Sequence, residues 1–107
     1  MTTIRDCIAP DRNPKVPGIK LPEGSIDTHV HIFESQYPLF EGRGYNPPDS
    51  TLDDLKHLHS QLGVSRVVYT QPSPYGVDNS AILKGMKVMN DETPGRARGF
   101  CAINMDV

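Results

Sequence analysis

No long apolar run occurs in these 107 residues, so nothing approaches the roughly 18–20 residues of a membrane span. The opening segment, with Arg5, Asp6, Asp11 and Arg12, has no apolar stretch of the signal-peptide kind. Basic residues are scattered, none forms a run, and the formal charge is −2, which argues against a nucleic-acid footprint and leaves small molecules as the expected ligands. Only two cysteines are present, Cys7 and Cys101, too far apart for a C-x-x-C metal motif and too few for a disulfide framework. Both are expected to be reduced, Cys101 in the core and Cys7 exposed. There is no N-x-S/T sequon with a permitted middle residue. These absences together suggest a cytoplasmic setting.

What remains is 36% hydrophobic and 22% charged, the composition of a single soluble domain. Its densest stretch is Ser25–Phe33, where two imidazoles and a carboxylate alternate with apolar residues. Period two puts Ile26, Thr28, Val30 and Ile32 on one side of a strand and Asp27, His29 and His31 on the other. Residues two apart on a strand lie roughly 6–7 Å apart, so both imidazoles can converge on one metal ion or one substrate. Spacing alone equally allows two surface histidines on a strand edge.

The rest of the chain reads in order. Residues 1–24 carry Pro10, Pro14, Pro17 and Pro22 and predict an extended arm without its own core. A first strand is expected over Ser25–Ile32. Glu34–Ser50 is a loop by its prolines and glycines, yet it holds Tyr37, Phe40 and Tyr45, and loops of this kind often line sites. Asp49, Ser50 and Thr51 are cap-type residues ahead of Leu52, Leu55, Leu58 and Leu62 at helical spacing, and Gly63 suits a left-handed stop. His57 and His59, two apart on that helix, are expected on different sides in solvated or packing roles.

Val64–Gln71 predicts a second strand, with the continuous apolar run of one covered on both faces. The turn-rich connection after it leads into a second helix capped near Asp78–Ser80, with Ile82, Leu83, Met86 and Met89 on its apolar face. Ala97–Ile103 predicts a third strand. Three strands joined by right-handed helical crossovers make a parallel α/β sheet, with a repeat like that of a (β/α)8 TIM barrel. A barrel takes about 250 residues, so residues 25–107 would supply its first three βα units, a truncated barrel whose open sheet could pair with a second copy.

With these pieces in place, the chain resembles the amidohydrolase-related family, in the branch that holds lactonases acting on pyrone dicarboxylates and sugar lactones. Asp27-Thr28-His29-Val30-His31 looks like the family's D-x-H-x-H strand, and Tyr45-Asn46-Pro47-Pro48-Asp49 like its aromatic loop. Val67–Ser73 followed by Tyr75-Gly76-Val77-Asp78-Asn79 is similar to the second strand and its loop, and Gly95–Gly99 to the entry of the third. The resemblance implies hydrolysis of an anionic lactone by water. It implies His29 and His31 as catalytic residues and Tyr45, Ser73 and Asn79 as substrate-binding positions, with Asn79 also a candidate helix cap. His29 and His31 would be metal ligands only in the metal-dependent variant; the lactonase branch implies no cofactor, and the wider superfamily zinc or manganese. Helix physics adds that backbone N–H groups near Asn79–Ile82 would face an anion. The family's further histidine and its late-strand aspartate base match nothing here, so the chain as given is expected to be inactive. The alternatives are a metal-dependent amidohydrolase or decarboxylase, and a non-catalytic interaction remnant.

Overall fold

The computed structural model describes residues 4–105. Its centre is a three-stranded parallel sheet of β2 (Ile26–Val30), β4 (Arg66–Thr70) and β5 (Ala97–Phe100), in the order β2-β4-β5. Helix α1 (Leu52–Leu62) connects β2 to β4, and α2 (Ser80–Glu92) connects β4 to β5. A separate two-residue parallel ladder joins β1 (Arg5–Asp6), in the N-terminal arm, to β3 (Tyr45–Asn46), in the long loop. Among the described residues, no helix is long and apolar enough to cross a membrane.

Local chemistry explains where α1 starts and stops. The Thr51 hydroxyl accepts from the Asp54 N–H at 3.2 Å while the Asp54 carboxylate accepts from the Thr51 N–H at 3.0 Å, a reciprocal capping box. At the other end Gly63 takes φ 79° and donates its N–H to the His59 carbonyl, ending the helix in the left-handed conformation that glycine adopts without steric cost.

The core lies between the sheet and the helices. Val30, Ile32, Val67, Tyr69 and Ala97 meet Leu55 of α1 and Ala81, Ile82 and Met89 of α2. Tyr69 is fully buried, and its hydroxyl lies 2.9 Å from the Met89 sulfur. Burial pushes its phenol up to about 12, with Arg96 acting in the opposite direction. Gly85 lets α2 come this close: a Cβ there would sit 3.0 Å from the Tyr69 ring and 3.1 Å from Ile32.

Among the described residues, no helix covers the other face of the sheet. Ile26 is paired with Arg66, and Val68 and Thr70 with Arg98 and Phe100; Ile26, Arg98 and Phe100 are exposed. Two expectations fail at the third strand. It ends at Phe100, short of Ile103, and Cys101 is exposed outside the core, because among the described residues no further strand neighbours β5.

Candidate active site

His29 and His31 stand at the C-terminal end of β2, on the face away from the helices. Their rings lie 5.0 Å apart, centre to centre, and nearly perpendicular at 83°. His31 Nδ1 lies 2.8 Å from the carbonyl of Thr70, the last residue of β4. A carbonyl only accepts, so Nδ1 donates, and Nε2 stays outside this bond, an acceptor in the neutral ring and a donor in the imidazolium. The neighbouring strand therefore fixes both the tautomer and the direction of the ring.

Asp27 does not share that face, contrary to the simple alternation. Asp27 pairs with Val67 and Val30 with Tyr69, three steps on one strand against two on the other, which marks a β-bulge between Asp27 and Val30. Val67 and Tyr69 are buried under the helices, so Asp27 points to the helix layer. There its Oδ2 lies 3.0 Å from Nε2 of His59, which is 1% exposed on α1, while Oδ1 accepts the His29 N–H at 3.3 Å. His59 is the buried packing histidine of α1, and His57 is exposed.

The loop after β2 builds an aromatic wall beside the histidines. Phe33 lies 6.2 Å from His31, 6.4 Å from Tyr45 and 5.6 Å from Tyr75, and Tyr75 is 6.2 Å from Tyr37. The Tyr75 hydroxyl takes the Glu34 N–H at 3.0 Å and lies 3.2 Å from the Glu34 carbonyl, pinning the loop's first residue. Phe33 and Ser50 exchange two backbone hydrogen bonds of 2.8 Å and close the loop at its base.

Of the sites expected from sequence, the structure brings Tyr45 and Ser73 together: burial raises the Tyr45 phenol, Cys7 adds to the rise, and a side-chain hydrogen bond with Ser73 opposes it. His31, Phe33 and Ser50 line a cavity of about 270 Å³ with Cys7, Ile8 and Pro10 of the arm. A second hollow of about 210 Å³, across Phe33 towards Tyr37 and Tyr75, includes neither histidine of β2.

Asn79 departs from the capping role expected of its side chain. Its side chain makes no cap hydrogen bond; instead its Nδ2 donates to the Ala102 carbonyl and its Oδ1 accepts from the Ala102 N–H, both at 2.9 Å. Asn79 holds the N-cap position by its place in the chain, and the residue before it, Asp78, accepts from the Ser80 N–H at 3.0 Å and from the Ser80 hydroxyl at 2.5 Å. Those bonds hold the Asp78 carboxyl below its ordinary range. The first N–H of α2 is thus occupied by the chain's own carboxylate, not presented to an external anion.

Two imidazoles do not by themselves complete a metal site. No group of three or more His, Cys, Asp or Glu side chains that could hold a metal ion occurs among the described residues, and Asp27 is turned towards α1.

Sequence reasoning missed the contributions of Phe33, Tyr75 and the Asp27–His59 pair. The Phe33 position two after His31 is the one local signal that could have marked an extension of the site; the contact between Asp27 and His59 has none.

The fold and site define the class as an α/β protein whose parallel sheet presents two histidines at the carboxyl end of its first strand. The chain belongs to the amidohydrolase family, whose model matches residues 26–107. It is similar to the 2-pyrone-4,6-dicarboxylate hydrolase of Comamonas testosteroni, at 33% identity over 89% of this chain and 30% of that protein. It is also similar to the 4-sulfomuconolactone hydrolase of Rhizobium radiobacter, at 35% identity over 78% of this chain and 29% of that one. Among solved structures, an apo protein of Agrobacterium tumefaciens superposes with TM-score 0.74 at 26% identity, covering 89% of this chain and 33% of that one. A probable 2-pyrone-4,6-dicarboxylic acid hydrolase of Acinetobacter baumannii, solved with citric acid bound, gives 0.65 at 27%, covering 76% and 29%. The chain spans about a third of the length of these relatives.

Proposed function

We propose that the chain forms the first three βα units of a (β/α)8 barrel that opens an anionic lactone with water, and that the exposed edges of β2 and β5 are where further strands join. Two curated relatives are named as hydrolases, one of a pyrone dicarboxylate and one of a sulfomuconolactone, which supports a ring ester bearing negative charge as substrate. The observation that carries the reading is the His31 ring, held by the Thr70 carbonyl at the C-terminal ends of β2 and β4, the end of the sheet where a barrel binds its ligand.

In this mechanism His29 and His31 supply donors or positive charge to the carbonyl oxygen as it becomes an oxyanion. Tyr45, set by Ser73, contacts the substrate from the loop, and the Phe33 ring supplies an apolar wall. Asn79 shapes the site by holding Ala102 rather than by gripping the ligand. The general base that takes the proton from water lies outside these residues, since Asp27 is committed to His59 and to the His29 amide.

The test uses the protein with 2-pyrone-4,6-dicarboxylate, following ring opening by absorbance and the histidine ring resonances by NMR. The expected result is a shift of the His29 and His31 signals on adding lactone, lost in His31→Ala, with no turnover by the 107-residue chain. Unmoved ring signals at saturating lactone would overturn the substrate assignment, and measurable turnover would overturn the missing base.

A further inference from the structure

His59 is an anomaly in the core. It follows Leu55 by one helical turn on the buried face of α1, where an apolar side chain would pack with every atom satisfied. Instead the position holds an imidazole 1% exposed whose Nδ1 is buried without a hydrogen-bond partner. A buried polar atom left unpaired is a cost that packing alone does not explain.

The other ring nitrogen supplies the explanation. Nε2 donates to Asp27 Oδ2, and the same carboxylate, through Oδ1, holds the N–H of His29. Asp27 sits where the bulge begins, and the bulge is what turns Asp27 towards the helix and leaves His29 and His31 on the open face. A chain of contacts therefore runs from α1 through one carboxylate to the backbone of the first site histidine.

We infer that Asp27 and His59 are positioning residues that fix the bulge and thereby the placement of His29 and His31. An apolar residue at 59 would fill the core but release the carboxylate, whose side chain is 33% exposed and free to turn towards water. The His29 amide would then lose its acceptor, and the strand could slip back to plain alternation, which moves every later side chain to the opposite face. The weight of this device rests on the proposed role of His29 and His31, but its test needs no substrate.

The experiment compares the full chain with His59→Leu, His59→Gln and Asp27→Asn, measuring amide hydrogen exchange at His29 and the histidine ring resonances. Tyr69 and Met89 report on the core. In His59→Leu the His29 amide loses protection by about tenfold, the scale of one lost hydrogen bond. The ring signals of His29 and His31 shift while Tyr69 and Met89 stay in place. His59→Gln, which keeps a donor at similar reach, recovers part of that loss. Should His59→Leu fail to fold, Asp27→Asn carries the same test, since its single amide oxygen replaces two carboxylate oxygens. The inference is overturned if the His29 amide is unprotected in the parent chain, or if the ring signals do not move. It is equally overturned if the core signals move in step with the site, or if Gln recovers nothing. Coupling without lactone binding would instead overturn the lactonase reading and leave the positioning pair standing.

Discussion

Replacing Gly85 by alanine sets two effects of known sign against each other. In an unobstructed helix the change gains about 1 kcal/mol from backbone propensity. Here the new methyl would lie 3.0 Å from Cζ and Oη of Tyr69 and 3.1 Å from Cδ1 of Ile32, tighter than most real Cβ contacts, so the neighbours would have to give by a few tenths of an ångström. Neither neighbour has room to yield: Tyr69 is 0% and Ile32 1% exposed, and the Tyr69 hydroxyl is already against the Met89 sulfur. Overpacking of this kind costs about 1–3 kcal/mol, so the net expectation is a loss of up to about 2 kcal/mol. Equilibrium urea unfolding of parent and variant, read by tyrosine fluorescence and circular dichroism, measures it. A lower midpoint at unchanged slope is expected, because the size of the unfolding surface is the same. A variant more stable than the parent by about 1 kcal/mol would refute the reasoning, since it would show α2 standing clear of Tyr69. Because Ile32 adjoins His31, a shift of the His31 ring resonance in the same variant is a further expected sign.

Thr51→Ala removes the acceptor of the Asp54 N–H and should cost about 1 kcal/mol in urea unfolding, with Thr51→Ser retaining most of it. Gly63→Ala meets no atom within 4 Å but must hold φ 79°, so a loss of about 1–2 kcal/mol is expected from backbone strain alone. Tyr69 should remain protonated in the folded chain until about pH 12, visible as one late phenolate transition by ultraviolet titration. Its folded value lies above the ordinary 10, so its stabilisation is whole below pH 10 and is lost as pH rises through about 12, a fall of roughly 2–3 kcal/mol. Level stability across that window would count against a buried phenol. Asn79→Ala should raise amide exchange at Ala102, which loses its acceptor, while the Ser80 N–H keeps its bond to the Asp78 carboxylate.

What was legible in the sequence was local. The capping residues, leucine spacing and terminal glycine of α1 act within a few positions of one another, as do the apolar run of β4 and the His-x-His pair. What escaped depends on pairing between distant residues. A bulge is a mismatch between two strands, so nothing inside Asp27–Val30 announces that Asp27 turns away from the histidines. His59 and Asp27 are 32 positions apart and Asn79 and Ala102 are 23 apart, and a cap-type residue such as Asn79 looks the same whether its amide serves its own helix or another segment. The third strand stops three residues short of the apolar run Ala97–Ile103, because the apolar character of Cys101, Ala102 and Ile103 does not by itself supply a strand to pair with. Likewise, the N-terminal arm gave no sign that Arg5 and Asp6 would pair with Tyr45 and Asn46.

The two bonds between Phe33 and Ser50 make the loop between them modular. Its ends stay fixed whatever lies between, so lengthening it changes the closure entropy only slowly, by about 0.6 kcal/mol per doubling. Strand β2 and helix α1 would keep this clamp through insertions or deletions beyond Glu34, whose carboxylate also accepts the Leu52 N–H. A scaffold with this clamp can be given a new substrate wall, in nature or by design, without rebuilding the strand that carries its histidines.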